Sequence, residues 1–164
     1  MVASYQKVCY YSAIKVKKGV YNMLLFGEYD HQVDAKFRIR IPSRFKSEIG
    51  NNYIFMKGPS KCISVYPISV FEKRFGKFLD VSVFDSEGQK ALAEVFASCF
   101  PGVEDGQGRV VIPEKLRVYA GIKKDVVSIG LGDHVDIYSV EEREAMKNGA
   151  NYLDLISVLK GKVD

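Results

Sequence analysis

Cysteine is scarce in this chain, with three residues at positions 9, 62 and 99. That odd, scattered set offers no disulfide framework and no metal-ligand spacing, so a reducing cytoplasm is the expected compartment and no metal or other cofactor is expected. Histidine is scarcer still, at 31 and 134 only. Neither has a Cys, His or Asp cluster around it in sequence, so both are expected to be single, solvated side chains. No apolar run approaches the length of a membrane span. No segment is low in complexity. Hydrophobic residues make up 47% of 164, enough for a core and too many for disorder. The length suits one compact domain or two small interlocked ones.

Acid is missing from two particular places. Residues 1–22 carry Lys7, Lys15, Lys17 and Lys18 and no acid, which leaves 20 of the 24 bases against 20 acids in the remainder. The net charge of +4 is therefore the charge of that leading segment. It reads as a basic N-terminal extension; no small-residue cleavage site follows its short apolar stretch, which argues against a signal peptide. The second place is 36–46, where Lys36, Arg38, Arg40, Arg44 and Lys46 stand with no acid among them.

That basic window is half of a repeat. Asp34-Ala-Lys-Phe-Arg38-Ile-Arg-Ile-Pro42 returns 71 residues later as Asp105-Gly-Gln-Gly-Arg109-Val-Val-Ile-Pro113. Phe45, Ile49 and Gly50 answer Leu116, Ala120 and Gly121, and Ile63, Val65 and Tyr66 answer Val135, Ile137 and Tyr138 after one inserted residue. Two copies of one supersecondary unit are too few for a solenoid, so they are expected to pack on each other about a pseudo-two-fold axis.

Each copy reads alike. A strand from Gly27 to Val33 enters a turn at Asp34–Phe37. Arg38–Ile41 alternates charged and apolar, which puts both arginines on one strand face and both isoleucines on the other. Pro42 stops the strand and starts a helix to Ile49, capped by Gly50. Tyr53–Met56 and Cys62–Tyr66 form a hairpin, followed by a helix over Ile68–Leu79. In copy two the strand is Val110–Ile112, the helix Pro113–Ala120, the hairpin Val126–Gly130 with His134–Tyr138, and the closing helix Glu141–Lys147. Ser86–Ser98 reads as a linking helix and Asn151–Leu159 as a last one. The domain divisions are 1–22, the extension; 27–79, copy one; 80–99, the link; 100–147, copy two; and 148–164, a terminal helix and tail.

The motif has a physical logic. Asp34 and Asp105 head tight turns, where a carboxylate accepts backbone N–H groups two residues on. Gly106 and Gly108 permit positive φ. The arginine that follows either braces its aspartate or points outward, where a guanidinium binds phosphate or guanine edges in a bidentate way. Lys36, Arg38, Arg40 and Arg44 of the basic window are the candidate DNA-binding residues, with Asp34, Asp105, Gly106, Gly108, Pro42 and Pro113 as the structural frame.

These paired motifs, with Phe26-Gly-Glu-Tyr29, Tyr66-Pro67 and Gly130–Tyr138, resemble the MraZ family of bacterial transcriptional regulators, over roughly residues 23–147. The resemblance implies a mostly β fold with α-helices (α+β), a duplicated AbrB-like swapped-hairpin or double-psi-like barrel with flanking helices. It implies a ring-shaped homo-oligomer associated with the nucleoid, binding duplex DNA at short repeats upstream of its own cell-division and cell-wall operon. It also implies that Arg38 and the first loop contact DNA and that Arg109 plays the equivalent part. Three features depart from the family pattern: Phe37 in a turn position that favours a small residue, Ser98-Cys-Phe-Pro-Gly102 before the second motif, and residues 1–22.

Two other classes compete. Paired aspartates on related barrels are shared by aspartic proteases, but Asp-Thr/Ser-Gly is missing, and an arginine four residues on would keep each carboxylate ionised where a dyad needs a shared proton. An enzyme is therefore not expected. An AbrB-type antitoxin or protein-binding module is the alternative, although antitoxins usually carry one copy and a disordered tail.

Overall fold

The computed structural model describes residues 25–149 and 151–163. The N-terminal extension, 1–22, lies outside the described residues. Copy one runs β1 (Leu25–Gln32), β2 (Arg38–Ile39), α1 (Ser43–Ile49), β3 (Tyr53–Lys57), β4 (Ile63–Pro67) and α2 (Ile68–Phe75), which tightens into a 3-10 turn over Gly76–Asp80. After α3 (Ser86–Phe96), copy two runs β5 (Phe100–Pro101), β6 (Val110–Val111), α4 (Glu114–Tyr119), β7 (Asp125–Gly132), β8 (Val135–Ser139) and α5 (Val140–Lys147), and α6 (Tyr152–Val163) follows. The architecture is α+β, with every strand pair antiparallel.

Local rules account for most boundaries. Pro42 precedes α1 at φ −49°, a value its ring fixes, and Gly50 ends the helix at φ 74°, with its N–H on the Lys46 carbonyl. Phe45 and Ile49, one turn apart, are both buried. Two elements are shorter than the sequence suggests. The helix expected to reach Leu79 loses its α form at Gly76, a poor helix former. The ribbon strand pairs only over Arg38–Ile39, because its partner is equally short and Pro42 has no N–H to offer.

Six strands form one sheet in the order β1-β7-β8-β4-β3-β5. At its centre the hairpins of the two copies meet, with Ile63 opposite Ile137, Ser64 opposite Asp136 and Val65 opposite Val135. At each edge the leading strand of one copy lies on the hairpin of the other: β1 on β7, and β5 on β3. A separate two-stranded ribbon joins β2 to β6, Arg38 opposite Val111 and Ile39 opposite Val110.

The main core follows from the predicted alternation. Ile39, Ile41, Val110 and Ile112 point inward from the ribbon region and meet Phe45 and Ile49 from α1, Leu116 from α4 and Ala120 at its C-terminal cap, with Phe55, Val65, Val126, Val135 and Ile137 from the sheet. Each of the larger buried side chains contributes about 1.5–3 kcal/mol. A second cluster joins Met56, Tyr66 and Val70 to Phe71, Phe75, Val95 and Cys99, which seats α2 and α3. Apolar groups remain outside on the segment after α2 and on α6, among them Leu79, Phe84, Leu153 and Leu159. Among the described residues, no helix is long and apolar enough to cross a membrane.

Candidate functional site

The site grows from the two aspartate turns. Asp34 Oδ1 accepts the backbone N–H groups of Lys36 (2.9 Å) and Arg38 (2.9 Å), and Oδ2 accepts Arg38 Nε (2.8 Å) and Nη2 (2.7 Å). Asp105 repeats this with Gln107 N–H (2.9 Å), Arg109 N–H (3.0 Å), Arg109 Nε (2.9 Å) and Nη2 (2.8 Å). The main chain closes both loops in the same way, Phe37 N–H to the Asp34 carbonyl and Gly108 N–H to the Asp105 carbonyl, each 2.9 Å. Each arginine therefore braces its own aspartate while keeping some exposure.

The turn shape demands a positive φ at its fourth position. Gly108 supplies 71°, while Gly106, the other glycine expected to do so, does not take that region. In copy one Phe37 occupies the equivalent place and adopts φ 56°. A bulky L-residue there costs about 1–2 kcal/mol. The loop keeps its shape regardless, and the Phe37 ring, 42% exposed, lies under the Arg117 guanidinium at 3.3 Å.

The ribbon sets the two turns side by side. Arg38 Nη1 reaches across to Asp105 Oδ2 at 3.4 Å, Arg40 Nη2 donates to the Gln107 carbonyl at 2.9 Å, and Ile112 N–H donates to the Phe37 carbonyl at 2.9 Å. Lys36, Arg38, Arg40 and Arg109 thus share one surface. Lys36 and Arg40 are exposed, and Arg38 and Arg109 are half-buried by their aspartates. Arg44 is exposed on α1, and Pro42 and Pro113 immediately precede α1 and α4.

Electrostatics make these turns durable. The guanidinium of Arg38, helped by the backbone N–H groups, holds the Asp34 carboxyl down to about 2, and Arg109 does the same for Asp105. Both are ionised at neutral pH, which is the wrong state for a proton-sharing pair.

Lys46 is withdrawn from the basic surface that its position in sequence suggests. Its ammonium contacts Glu104, donates to the Gly50 carbonyl at 2.7 Å and lies 5.1 Å from the Tyr53 ring centre. Burial pushes Glu104 up, but the Lys46 ammonium and the Tyr53 hydroxyl, at 2.8 Å, outweigh it and leave the carboxyl below its ordinary value. Sequence reasoning missed Glu104 and the seat of Arg117. The repeat offset held a signal for the first, since Glu104 stands where copy one has Val33.

The expectation of solvated, isolated histidines is corrected. His134 Nδ1 lies 2.8 Å from Asp133 Oδ1 and Nε2 lies 3.6 Å from Asp136 Oδ1, with the ring stacked on Tyr66 at 4.6 Å. Arg74 Nη2 holds Asp133 at 2.7 Å, and Ser64 Oγ donates to Asp136 at 2.6 Å. The β4–β8 register assembles this group from residues far apart in sequence. His31 Nε2 is 2.7 Å from Ser128 Oγ, and burial pushes its pKa down. Among the described residues no group of three His, Cys, Asp or Glu could hold a metal ion.

The MraZ protein family model, described as antitoxin-like, matches residues 24–93 and 104–155, and so includes both aspartate turns. The chain belongs to the MraZ family. The transcriptional regulator MraZ of Finegoldia magna is 38% identical over 135 residues, covering 80% of this chain and 94% of that protein. The protein of the same name from Clostridium tetani is 36% identical over 128 residues, covering 78% and 89%. That of Acetivibrio thermocellus is 33% identical over 128 residues, covering 78% and 90%. The MraZ match is interrupted over 94–103, the end of α3 and all of β5, where the unusual Ser98-Cys-Phe-Pro-Gly102 lies. Phe37, by contrast, lies within the matched region.

Proposed function

We propose that this chain is a sequence-specific, DNA-binding transcriptional regulator without enzymatic activity. The observation that carries the reading is the ribbon surface, where Lys36, Arg38, Arg40 and Arg109 converge from two copies, in a chain whose relatives are named transcriptional regulators. Arg38 and Arg40 are the principal contacts. The aspartates fix the arginine planes in advance, which lowers the entropy lost when a guanidinium meets a phosphate or a guanine edge. Lys36 is a backbone contact, and Arg44 extends the surface along α1. Copy one carries most of the contact; copy two, with Val111 where copy one has Arg40, mainly completes the fold and orients the subunit.

In this reading the two units, 27–79 and 100–147, are AbrB-like copies of the swapped-hairpin, double-psi-like class, joined by the link at 80–99. Exposed apolar side chains such as Phe84, Leu153 and Leu159 are buried between subunits of a ring. Repeating a small basic surface around a ring raises the effective concentration at repeated sites. The target is a set of short repeats upstream of the protein's own cell-division and cell-wall operon, which makes it a nucleoid-associated protein.

The test is a mobility-shift assay on DNA from upstream of the gene, over a salt series. Arg38→Ala costs about 1–3 kcal/mol and alters discrimination among sites if it reads a base. Lys36→Ala weakens all sequences alike and lowers the salt slope by about one. Arg109→Ala, with the oligomer intact, loses less than Arg38→Ala. Wild-type affinity in a folded Arg38→Ala protein would overturn the assignment.

A further inference from the structure

We infer that Arg117, stacked on Phe37, is an additional DNA contact that presents its guanidinium to a backbone phosphate beside the first loop. The inference rests on the DNA-binding reading above and adds a residue from copy two to the copy-one surface. It begins with a broken symmetry. Residues 46 and 117 are equivalent at the repeat offset, as are 33 and 104, and 37 and 108. The copy-one base, Lys46, is held by Glu104 and the Tyr53 ring. The reciprocal partner for Arg117 would be Val33, which is buried and carries no charge. Arg117 has no ion pair among the described residues, and its guanidinium carbon lies 3.3 Å from the centre of the Phe37 ring.

Both departures act on the same arginine. Valine in place of glutamate leaves it without an acid, and phenylalanine in place of glycine gives it a seat. A guanidinium carbon 3.3 Å from the ring centre is too close for an edge-on approach, since a nitrogen would then run into the ring. The group therefore lies over the ring face and its N–H donors point outward from the rim, where an oxyanion can meet them. Stability does not explain the arrangement. A cation–π stack on a ring this exposed gains about as little as the positive φ of Phe37 loses. Glycine would relieve the backbone, as Gly108 does in copy two. The remaining consequence is position: a positive charge held on Phe37, the residue between Lys36 and Arg38, and not neutralised as Arg38 and Arg109 are by their aspartates.

The experiment compares wild type, Arg117→Ala, Arg117→Lys and Phe37→Gly in mobility-shift titrations on the upstream DNA, with melting temperature and oligomeric state measured alongside. Each engaged subunit then makes one phosphate contact fewer, which lowers the salt slope by about 0.9 per subunit, so at about 0.15 M salt Arg117→Ala weakens binding about fivefold for each subunit engaged. Arg117→Lys keeps most of the slope. Phe37→Gly melts at or above the wild-type temperature yet binds more weakly, a combination that a purely structural ring would not produce. Unchanged affinity and slope in both Arg117→Ala and Phe37→Gly, with wild type binding, overturns this inference alone. Wild-type protein that retards none of this DNA overturns the DNA-binding reading and the inference with it.

Discussion

Gly102 should be intolerant of a single methyl group. It follows β5, its N–H donates to the Tyr53 carbonyl at 2.9 Å, and it crosses the Tyr53 ring so closely that an added Cβ would overlap Cε2 and lie 2.5 Å from Cδ2 and 2.6 Å from Cζ. The ring has little room to retreat. It is 2% exposed, meets Phe55 edge-on at 5.5 Å, and its hydroxyl donates to Glu104 at 2.8 Å. Burial pushes that phenol well above its ordinary value, so it stays protonated as the donor. Overpacking of this kind costs about 1–3 kcal/mol. Displacing the hydroxyl from Glu104 adds about 1 kcal/mol. The total of about 2–4 kcal/mol lowers Tm by about 5–15 °C for a domain of this size. Thermal unfolding followed by circular dichroism, at matched concentration and oligomeric state, measures it. Tyr53→Phe, which loses only the hydroxyl, should fall by about 1 kcal/mol. Gly102→Ala combined with Tyr53→Leu should cost less than the sum of the singles, because the smaller side chain vacates the space. A Gly102→Ala protein melting within about 2 °C of wild type would refute the packing argument.

Other expectations concern pH and the sheet edge. Asp34 and Asp105 fall from 3.8 to about 2 on folding, so their contribution is complete above about 4 and is lost as pH drops toward 2; Asp34→Asn with Asp105→Asn should flatten the fall of Tm over that window. An equally steep fall in the double variant would locate acid sensitivity elsewhere. His31 is depressed below 6.5 by burial, so folding favours its neutral form and stability declines as pH falls from about 6.5; His31→Gln should shrink that decline in melting curves taken between pH 7 and 5. Gly130→Ala would place a Cβ 2.5 Å from the Leu25 carbonyl carbon and 2.6 Å from Phe26 N, so amide exchange should quicken in β1 while β3 and β4 stay protected. Unchanged protection of β1 would contradict that close approach.

Much of the site was legible because its cause is local. Asp34 and Arg38 are four residues apart, and one short turn brings them together, so spacing offered the brace as one of two readings and the geometry of the turn selected it. Ile39 and Ile41 declared the inner face of the ribbon by alternation. What escaped is what depends on register between distant segments. Nothing near His134 announced that Ser64 and Arg74 would gather around its two aspartates. Nothing near Arg117 announced Phe37, although Phe37 itself stood out as a bulky residue in a glycine position. The pairing of β1 with β7 was hidden for the same reason: alternation shows which face a strand buries and not which strand lies beside it.

The exchange of leading strands at the sheet edges has a consequence during synthesis. His31 and its partner Ser128 are 97 residues apart. At about 5–20 residues per second, β1 waits roughly 5–20 s for β7 to be made. Through that interval the first basic loop exists as sequence but lacks β6, the strand that sets Arg38 and Arg40 against the second turn. A nascent or truncated chain ending before residue 110 therefore lacks the composite surface. The paired loops form only once the chain has been made past β6, so this fold withholds the paired arginine surface from products that stop earlier.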